Sequence, residues 1–226
     1  MRILHTSDIH VGDPVERPGA VGALVDAAVA HGVDVLVLVG DTFDHNRVTT
    51  EVGQELVDEV AGIGVPVVIL PGNHDCLVPG TIWGRVELPA NVHVLTDPAG
   101  EHVDLDALDL RIWGRPHPDY LDMRPLADLP PRDGHTWHVA LAHGHMVLGR
   151  HDLHRAYLIT PEEIAASERD YVALCHWDVP HDMSAGTVTA AYSGSASRYR
   201  VCALVTLSTA GGDRRVDVER LDLGES

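Results

Sequence analysis

Three apolar segments in the first third of the chain alternate with two segments of helical periodicity. The apolar segments are "RILHTSD" (2–8), "VDVLVLVGD" (33–41) and "VPVVILPGN" (65–73), and the helical ones cover residues 19–31 and 50–62. Continuous β-branched runs are typical of strands that are buried on both faces. The alternation predicts parallel strands joined by crossover helices, which is an α/β fold.

After residue 90 the apolar segments become shorter, and a glycine-rich turn is predicted at 210–213. We expect strands at 92–95, 107–114, 136–142, 171–175, 187–193, 200–208 and 214–222. The early strands predict one buried sheet and the later strands much of a second, so we predict a four-layer αββα sandwich of two mixed sheets flanked by helices. We expect a single domain over residues 1–226, with a functional loop at 143–160, where no clear period is visible.

The charge and cysteine content limit the partners of the chain. It has 34 acidic residues, 16 basic residues and no lysine, for a formal net charge of −18. Such a chain repels polyanions at long range, which disfavours a broad nucleic-acid surface. No apolar run approaches the ~18 residues of a membrane span, so no membrane partner is expected. The scattered cysteines Cys76, Cys175 and Cys202 fit reduced thiols in a cytoplasmic protein.

Polar residues follow five of the predicted strands at the point where each strand ends. They are Asp8 and His10, Asp41 and Asp44, Asn73 and His74, His143, and His176 with Asp178. The carboxyl ends of strands in an open α/β sheet form one crevice, so we expect these side chains to meet. Carboxylates, imidazoles and an amide without a cysteine cluster suit Mn²⁺, Fe²⁺ or Zn²⁺. The set is too large for one ion, so we predict two divalent ions and hydrolysis of phosphate esters by a metal-activated water.

The motifs at these strand ends resemble those of the calcineurin-like metallophosphoesterases. That family has D-x-H, GD-x-x-D, GNH(D/E), H and GH-x-H in this order, and the chain has "DIH", "GDTFD", "GNHD", the His of "LAHGH" and "CHWD". The resemblance runs from residue 3 to about residue 200. The segments "GDTFDHNRV", "DYVALCHWD" and "YSGSASR" are most similar to those of the family branch that contains the nuclease subunit of the bacterial SbcCD complex. We expect the chain to lack the C-terminal capping region of those nucleases.

The resemblance implies a role for each matching residue. The implied metal ligands are Asp8, His10, Asp41, Asn73, His143 and His176, with Asp41 bridging both ions. His74 is implied to be the acid that protonates the leaving oxygen, and Asp44 is implied to orient its ring. Substrate contacts are expected from Asn73, His145 and Arg198.

The chain departs from the family pattern at the end of the strand "YVALC". The family glycine is Cys175 here, and the second family histidine is Asp178. In one interpretation Asp178 is a direct ligand whose harder oxygen favours Mn²⁺. In the other, the first metal site is weakened and the protein has become non-catalytic. We predict the first, because every other implied ligand is intact, and we interpret Cys175 as a small buried thiol facing the core.

Three functions follow from this sequence. The leading hypothesis is a dinuclear phosphoesterase that acts on diesters or small phosphorylated molecules, with diesters preferred over monoesters. The second is a DNA nuclease subunit that works with an ATPase partner, which the motif wording favours and the charge disfavours. The third is a non-catalytic scaffold that binds metal or phosphate.

Overall fold

The computed structural model describes residues 1–12 and 19–224. The helices are α1 (Ala20–His31), α2 (Thr50–Ala61) and α3 (Pro161–Ala166). The strands are β1 (Arg2–Thr6), β2 (Val35–Val39), β3 (Val67–Leu70), β4 (Val92–Val94), β5 (Glu101–Leu105), β6 (Leu110–Gly114), β7 (Trp137–His143), β8 (His145–Met146), β9 (Leu158–Ile159), β10 (Tyr171–Cys175), β11 (His181–Asp182), β12 (Thr189–Tyr192), β13 (Val201–Ala210) and β14 (Asp213–Asp222). None of the helices within these residues is long and apolar enough to cross a membrane.

The first sheet has six strands in the order β14-β13-β1-β2-β3-β4. Strands β1 to β4 are parallel, whereas β13 pairs antiparallel with β1 and places Val205 opposite Ile3. The glycine-rich turn at 210–213 leads from β13 into β14 at the edge of the sheet. All five residues of β2 are buried, as the continuous apolar run predicts for a central strand covered on both faces.

The second sheet has six strands in the order β11-β12-β10-β7-β6-β5. Its four central strands are parallel, and β5 and β11 form antiparallel edges. The two sheets face each other across an apolar layer that includes Val37 and Leu70 from the first and Leu141 and Ala173 from the second. Burial of both inner faces removes a large apolar area from water and joins the sheets into one sandwich.

Helices and loops cover the outer faces of the sandwich. Helices α1 and α2 pack on the first sheet through residues such as Leu24 and Leu56. The outer face of the second sheet has thinner cover, from the short helix α3 and from loop residues such as Leu126. Helix α3 begins with a capping box, in which the side chains of Thr160 and Glu163 each accept the other residue's backbone N–H.

The structure confirms the predicted αββα sandwich and corrects the assignment of several strands. Strand β4 and the hairpin β13–β14 join the first sheet, although most strands after residue 90 belong to the second. Strand β5 was not expected, and the strand predicted at 107–114 begins only at Leu110, after a 3₁₀ turn. The loop predicted at 143–160 contains the short parallel pair β8–β9.

Candidate metal centre

The predicted metal ligands follow the carboxyl ends of neighbouring strands. In the first sheet Asp8 and His10 follow β1, Asp41 follows β2, and Asn73 follows β3. In the second sheet His143 ends β7 and His176 follows β10, and both strands contact β2 across the sandwich. Parallel pairing therefore places these strand ends at one edge of the two sheets.

Four of these residues have positive φ angles, a backbone conformation that residues other than glycine rarely adopt. The φ angle is 48° at Asp8, 52° at His10, 48° at Asp41 and 111° at His176. Conformations of this kind cost about 1–3 kcal/mol each and concentrate at functional sites. Hydrogen bonds hold them in place: the His10 N–H donates to the Asp41 carbonyl at 3.0 Å, and the Ser195 hydroxyl donates to the Asp8 carbonyl at 2.7 Å.

One group of ligand atoms surrounds Nε2 of His143. This nitrogen lies 2.7 Å from Oδ1 of Asn73 and 3.2 Å from Nδ1 of His176. It also lies 3.5 Å from Oδ2 of Asp41. An ion with bonds of ~2.0–2.2 Å holds neighbouring ligand atoms about 3–3.5 Å apart, so the spacing fits one divalent ion.

A second group of ligand atoms lies around His10. Ligand atoms of His10, Asp41 and His74 lie within 4.8 Å of one another, and Oδ1 of Asp8 is 3.9 Å from Nε2 of His10. Oδ1 of Asp44 lies 3.4 Å from the other ring nitrogen of His10, where a carboxylate can orient a ligand imidazole. Asp41 belongs to both groups, as a bridging carboxylate must.

The electrostatics of the centre favour cation binding. Burial lowers the pKa of His143 well below its usual value, and it also lowers the pKa of His10 and of His176. All three imidazoles are therefore neutral at pH 7, which is the form that binds a metal. Burial, followed by the charge of Asp41, raises the pKa of Asp8 to about 7. A cation between these carboxylates would relieve their repulsion, so the donor set fits the divalent ions predicted from the sequence.

Asp75 braces the loops that carry the ligands. Its fully buried carboxylate accepts the backbone N–H groups of Gly72 at 2.7 Å, Thr42 at 3.1 Å and Phe43 at 3.3 Å. Burial, with the charge of Asp41, raises its pKa to about 7. These hydrogen bonds fix the positions of the loops that follow β2 and β3 relative to each other.

The ring of His74 lies at the mouth of the centre, with 42% of its side chain exposed. Its Nδ1 lies 2.7 Å from the backbone carbonyl of Asp44 and 3.5 Å from the Asp44 carboxylate. Asp44 thus contacts the ring through both its carbonyl and its carboxylate, and the carbonyl makes the shorter contact. Burial opposes protonation of His74, but the charges of Asp41, Asp44 and Asp75 and the Asp44 carbonyl outweigh it and raise the pKa of His74. A raised pKa suits a proton donor.

The structure gives His145 a bracing position rather than a place among the ligands. The Trp177 indole N–H donates to Nδ1 of His145 at 3.1 Å, and Nε2 lies 3.3 Å from Oδ1 of Asp152. Both ring nitrogens are therefore engaged within the protein. A substrate contact through this ring would require one of these bonds to break, so the geometry gives the predicted substrate role of His145 no support.

Asp178 and Arg198 form an ion pair beside the centre. Oδ2 of Asp178 accepts a hydrogen bond from Nη1 of Arg198 at 3.0 Å. Within residues 1–12 and 19–224, no group of ligand atoms includes Asp178. A direct bond from Asp178 to a metal is thus not part of this geometry, because the short carboxylate side chain is turned toward the guanidinium. The charge of Arg198 is also one of the smaller effects that lower the pKa of His10.

Sequence reasoning missed His117, which is fully buried behind the centre. Its Nε2 lies 3.0 Å from the carbonyl oxygen of His143, and burial lowers its pKa. His117 follows the end of β6, so the strand-end signal that indicated the other residues is also present here. Its ring contacts the rings of Tyr157 and His143, at 4.5 Å and 5.0 Å between centroids. Among the described residues, His117 belongs to none of the groups of ligand atoms.

The family model for calcineurin-like phosphoesterases matches residues 1–202. The chain belongs to this family. Membership supports a metal-dependent phosphoesterase in general, in agreement with the ligand groups around His10 and His143.

Curated relatives of this calcineurin-like chain include longer proteins. It is 25% identical over 219 residues to the uncharacterized metallophosphoesterase YhaO of Bacillus subtilis, a match that covers 86% of this chain and 53% of YhaO. It is 33% identical over 85 residues to the nuclease component of SbcCD from Escherichia coli, which covers 33% of this chain and 21% of that protein. The chain thus spans about half the length of YhaO and less of the SbcCD nuclease.

A solved structure shares the fold of this family member. The TT1561 protein of Thermus thermophilus superimposes with a TM-score of 0.63 at 14% sequence identity, covering 99% of each chain. At this identity the likeness concerns the fold alone.

Proposed function

We propose that this protein is a two-metal phosphoesterase that hydrolyses phosphodiesters or small phosphorylated molecules. The observation that carries the proposal is the clustering of Asp41, Asn73, His143 and His176 around one point, with Asp41 shared by the group around His10. When bound, two divalent ions supply a water-derived nucleophile and stabilise charge on the phosphoryl oxygens. We propose Mn²⁺, because oxygen and imidazole donors without thiolate suit it, with Fe²⁺ and Zn²⁺ as alternatives.

The residues of the chain supply the proton and the substrate contacts. Nδ1 of His74 donates to the Asp44 carbonyl, so Nε2 is the nitrogen that delivers a proton to the leaving oxygen. In this proposal the guanidinium of Arg198 contacts phosphoryl oxygens of the substrate, and the side-chain amide of Asn73, whose Oδ1 lies 2.7 Å from Nε2 of His143, would hold a metal ion and also contact the substrate. His74 and Arg198 are both partly exposed, at 42% and 48% of their side chains, as substrate access requires.

A diester is the preferred substrate class in this proposal. At neutral pH a diester carries one negative charge, whereas a monoester carries close to two. Arg198 is already partly neutralised by Asp178, and the chain has a formal charge of −18, so the more highly charged monoester is the less favoured ligand.

The test is turnover of bis-(p-nitrophenyl) phosphate and p-nitrophenyl phosphate by protein loaded with Mn²⁺, Fe²⁺ or Zn²⁺. We expect metal-dependent hydrolysis, fastest with Mn²⁺, and a higher kcat/KM for the diester. A higher kcat/KM for the monoester would contradict the diester preference. A protein that binds two ions and hydrolyses neither substrate would favour the non-catalytic scaffold.

A DNA nuclease subunit is the second candidate, and the 33% identity to the SbcCD nuclease over 85 residues supports it. The charge of −18 weighs against DNA binding by the chain alone. Incubation of linear and single-stranded DNA with the Mn²⁺-loaded chain tests this candidate, and the Asp41→Asn variant controls for contaminating nuclease. Digestion by the wild type and not by Asp41→Asn would favour the DNA nuclease hypothesis. The same conclusion would follow if the wild type digested DNA only after addition of a coiled-coil ATPase partner.

The ion pair of Asp178 and Arg198 leads to a prediction about substrate binding. We expect Arg198→Ala to raise KM about 10–100-fold, since a charge-assisted hydrogen bond contributes ~1.5–3 kcal/mol. Asp178→Ala is expected to raise KM by a smaller factor and to retain two metal ions per chain, because it removes one partner of the guanidinium and no proposed ligand. Steady-state kinetics and metal analysis by mass spectrometry measure both effects.

The control for this prediction is Asp182→Ala, which removes an exposed carboxylate that accepts hydrogen bonds from Ser184. It should change neither KM nor metal content. Loss of one ion in Asp178→Ala, with recovery in Asp178→His, would show instead that Asp178 is the direct ligand expected from the sequence.

We also propose a cytoplasmic location. Cys76, Cys175 and Cys202 are all free and buried, which agrees with a reducing compartment. A fluorescent fusion imaged in the native host tests this location, and export of the protein would contradict it.

A further inference from the structure

Cys175 lies between ligands of the two proposed ions. It is the last residue of β10, its side chain is 0% exposed, and it belongs to the apolar layer between the sheets. Its Sγ lies 2.9 Å from Nδ1 of His143 and 3.2 Å from Oδ2 of Asp8. The Gly40 carbonyl oxygen is 3.5 Å away. The thiol thus contacts one predicted ligand from each metal group.

The directions of these contacts follow from the chemistry of His143. Its Nε2 faces Asn73 and the second metal group, so a bound ion leaves the ring proton on Nδ1. Nδ1–H then donates to Sγ of Cys175, and the single thiol proton is left to donate to Oδ2 of Asp8. Oδ1, the other carboxylate oxygen of Asp8, is the one that faces His10.

Ligand atoms of Cys175, Asp8 and His143 lie within 4.8 Å of one another, so a direct metal bond from the thiol has to be considered. Sγ of Cys175 contacts Nδ1 of His143 at 2.9 Å. An ion held by both residues would require Nδ1 of His143, although Nε2 is the nitrogen that faces Asn73 and His176. The geometry therefore favours a hydrogen-bonding role for the thiol over a direct bond to the ion.

We propose that Cys175 is a positioning residue that holds a ligand of each metal ion, accepting a hydrogen bond from His143 and donating one to Asp8. The proposal rests on the two-metal centre proposed above and assigns a role to the residue at which the chain departs from the family glycine. Partners of this kind fix the tautomer and orientation of a ligand, and their removal typically weakens metal binding about 10–100-fold.

The space around the thiol is closely filled. A Cβ atom built on Gly40 would lie 3.0 Å from Sγ of Cys175 and would collide with the ring of His143. The His143 ring therefore has little freedom to move toward β2, and the contact with Cys175 sets its position on the other side.

The experiment compares Mn²⁺ binding by the wild type, Cys175→Ala, Cys175→Ser and Cys202→Ala. Serine retains a donor and an acceptor, and Cys202 is an equally buried thiol in the separate cluster between the first sheet and its helices. We expect Cys175→Ala to weaken Mn²⁺ binding about 10–100-fold, Cys175→Ser to recover most of the loss, and Cys202→Ala to bind as the wild type. Calorimetric titration gives the affinities, and thermal unfolding confirms that each variant folds.

Three results would overturn the proposal. They are wild-type affinity in Cys175→Ala, a loss in Cys175→Ser equal to that in Cys175→Ala, and a thiolate-to-metal charge-transfer band in the Co²⁺-loaded wild type that Cys175→Ser abolishes. The last would make Cys175 a direct ligand. These readouts are independent of turnover: a wild type that binds two ions but hydrolyses nothing refutes the proposed function and leaves the role of Cys175 to be decided by the binding data.

Discussion

Replacement of Asp41 by Asn is expected to abolish turnover and to reduce the metal content below two ions per chain. Oδ1 of Asp41 accepts the His74 backbone N–H at 2.9 Å, and Oδ2 lies 3.5 Å from Nε2 of His143. Asparagine keeps this shape but removes the negative charge shared by both metal groups. A bound divalent ion stabilises the charge of a phosphoryl transition state by several kcal/mol, and each ~1.4 kcal/mol corresponds to a tenfold change in rate. We therefore expect kcat of Asp41→Asn to fall about 10³-fold or more.

Metal analysis and diester turnover measure the Asp41→Asn effect, and Asp170→Asn provides the matched control. Asp170 is another buried carboxylate, 8% exposed, that accepts the His138 N–H and pairs with Arg132 away from the ligands. Its variant should lose stability while retaining two ions and full turnover. An Asp41→Asn protein that retained both ions and full activity would show that the ligand assignment is wrong.

The parallel strands β1 to β3 and the strand-end positions of the candidate ligands could be predicted because both depend on short-range patterns. Continuous apolar runs such as Val35–Val39 are typical of central parallel strands, and parallel strands bring their carboxyl ends to one edge. The position of Asp8, Asp41 and Asn73 at that edge therefore follows from where each run ends. The φ angles of 48° at Asp8 and Asp41 are a consequence of the tight turns at those ends, which the sequence pattern does not reveal.

The sheet that each later strand joins could not be predicted, because long-range pairing decides it. Strand β13 pairs with β1 although about 200 residues separate Val205 from Ile3, and no local pattern contains this information. Strand β5 was missed because its sequence, EHVDL, has only two apolar residues in five positions at the edge of the sheet, which gives a weak strand signal.

The hydrogen-bond partners of the side chains at the metal centre could also not be predicted from the sequence. The pattern "CHWD" shows that Asp178 stands where the family has histidine, but not that its carboxylate turns toward Arg198. Likewise, the occupation of both nitrogens of His145 depends on Trp177 and Asp152, which come from different segments. Residue identity and spacing were enough to predict a metal site made of carboxylates, imidazoles and an amide. Which partner each polar side chain contacts became visible only in the three-dimensional structure.

Replacement of His74 by Ala or Asn is expected to lower kcat about 10²–10⁴-fold for substrates with poor leaving groups, with little change in metal content. The contact between Nδ1 and the Asp44 carbonyl at 2.7 Å fixes the ring and leaves Nε2 to donate the proton. The loss should shrink for p-nitrophenyl esters, because nitrophenolate leaves without protonation. His102→Ala is the control, since its side chain is similarly exposed, at 46% against 42%, and lies on β5 away from the ligands.

Equal losses on both substrate types would show that His74 is not the general acid. Loss of an ion would show that His74 binds the first metal, which its place beside His10 and Asp41 also allows.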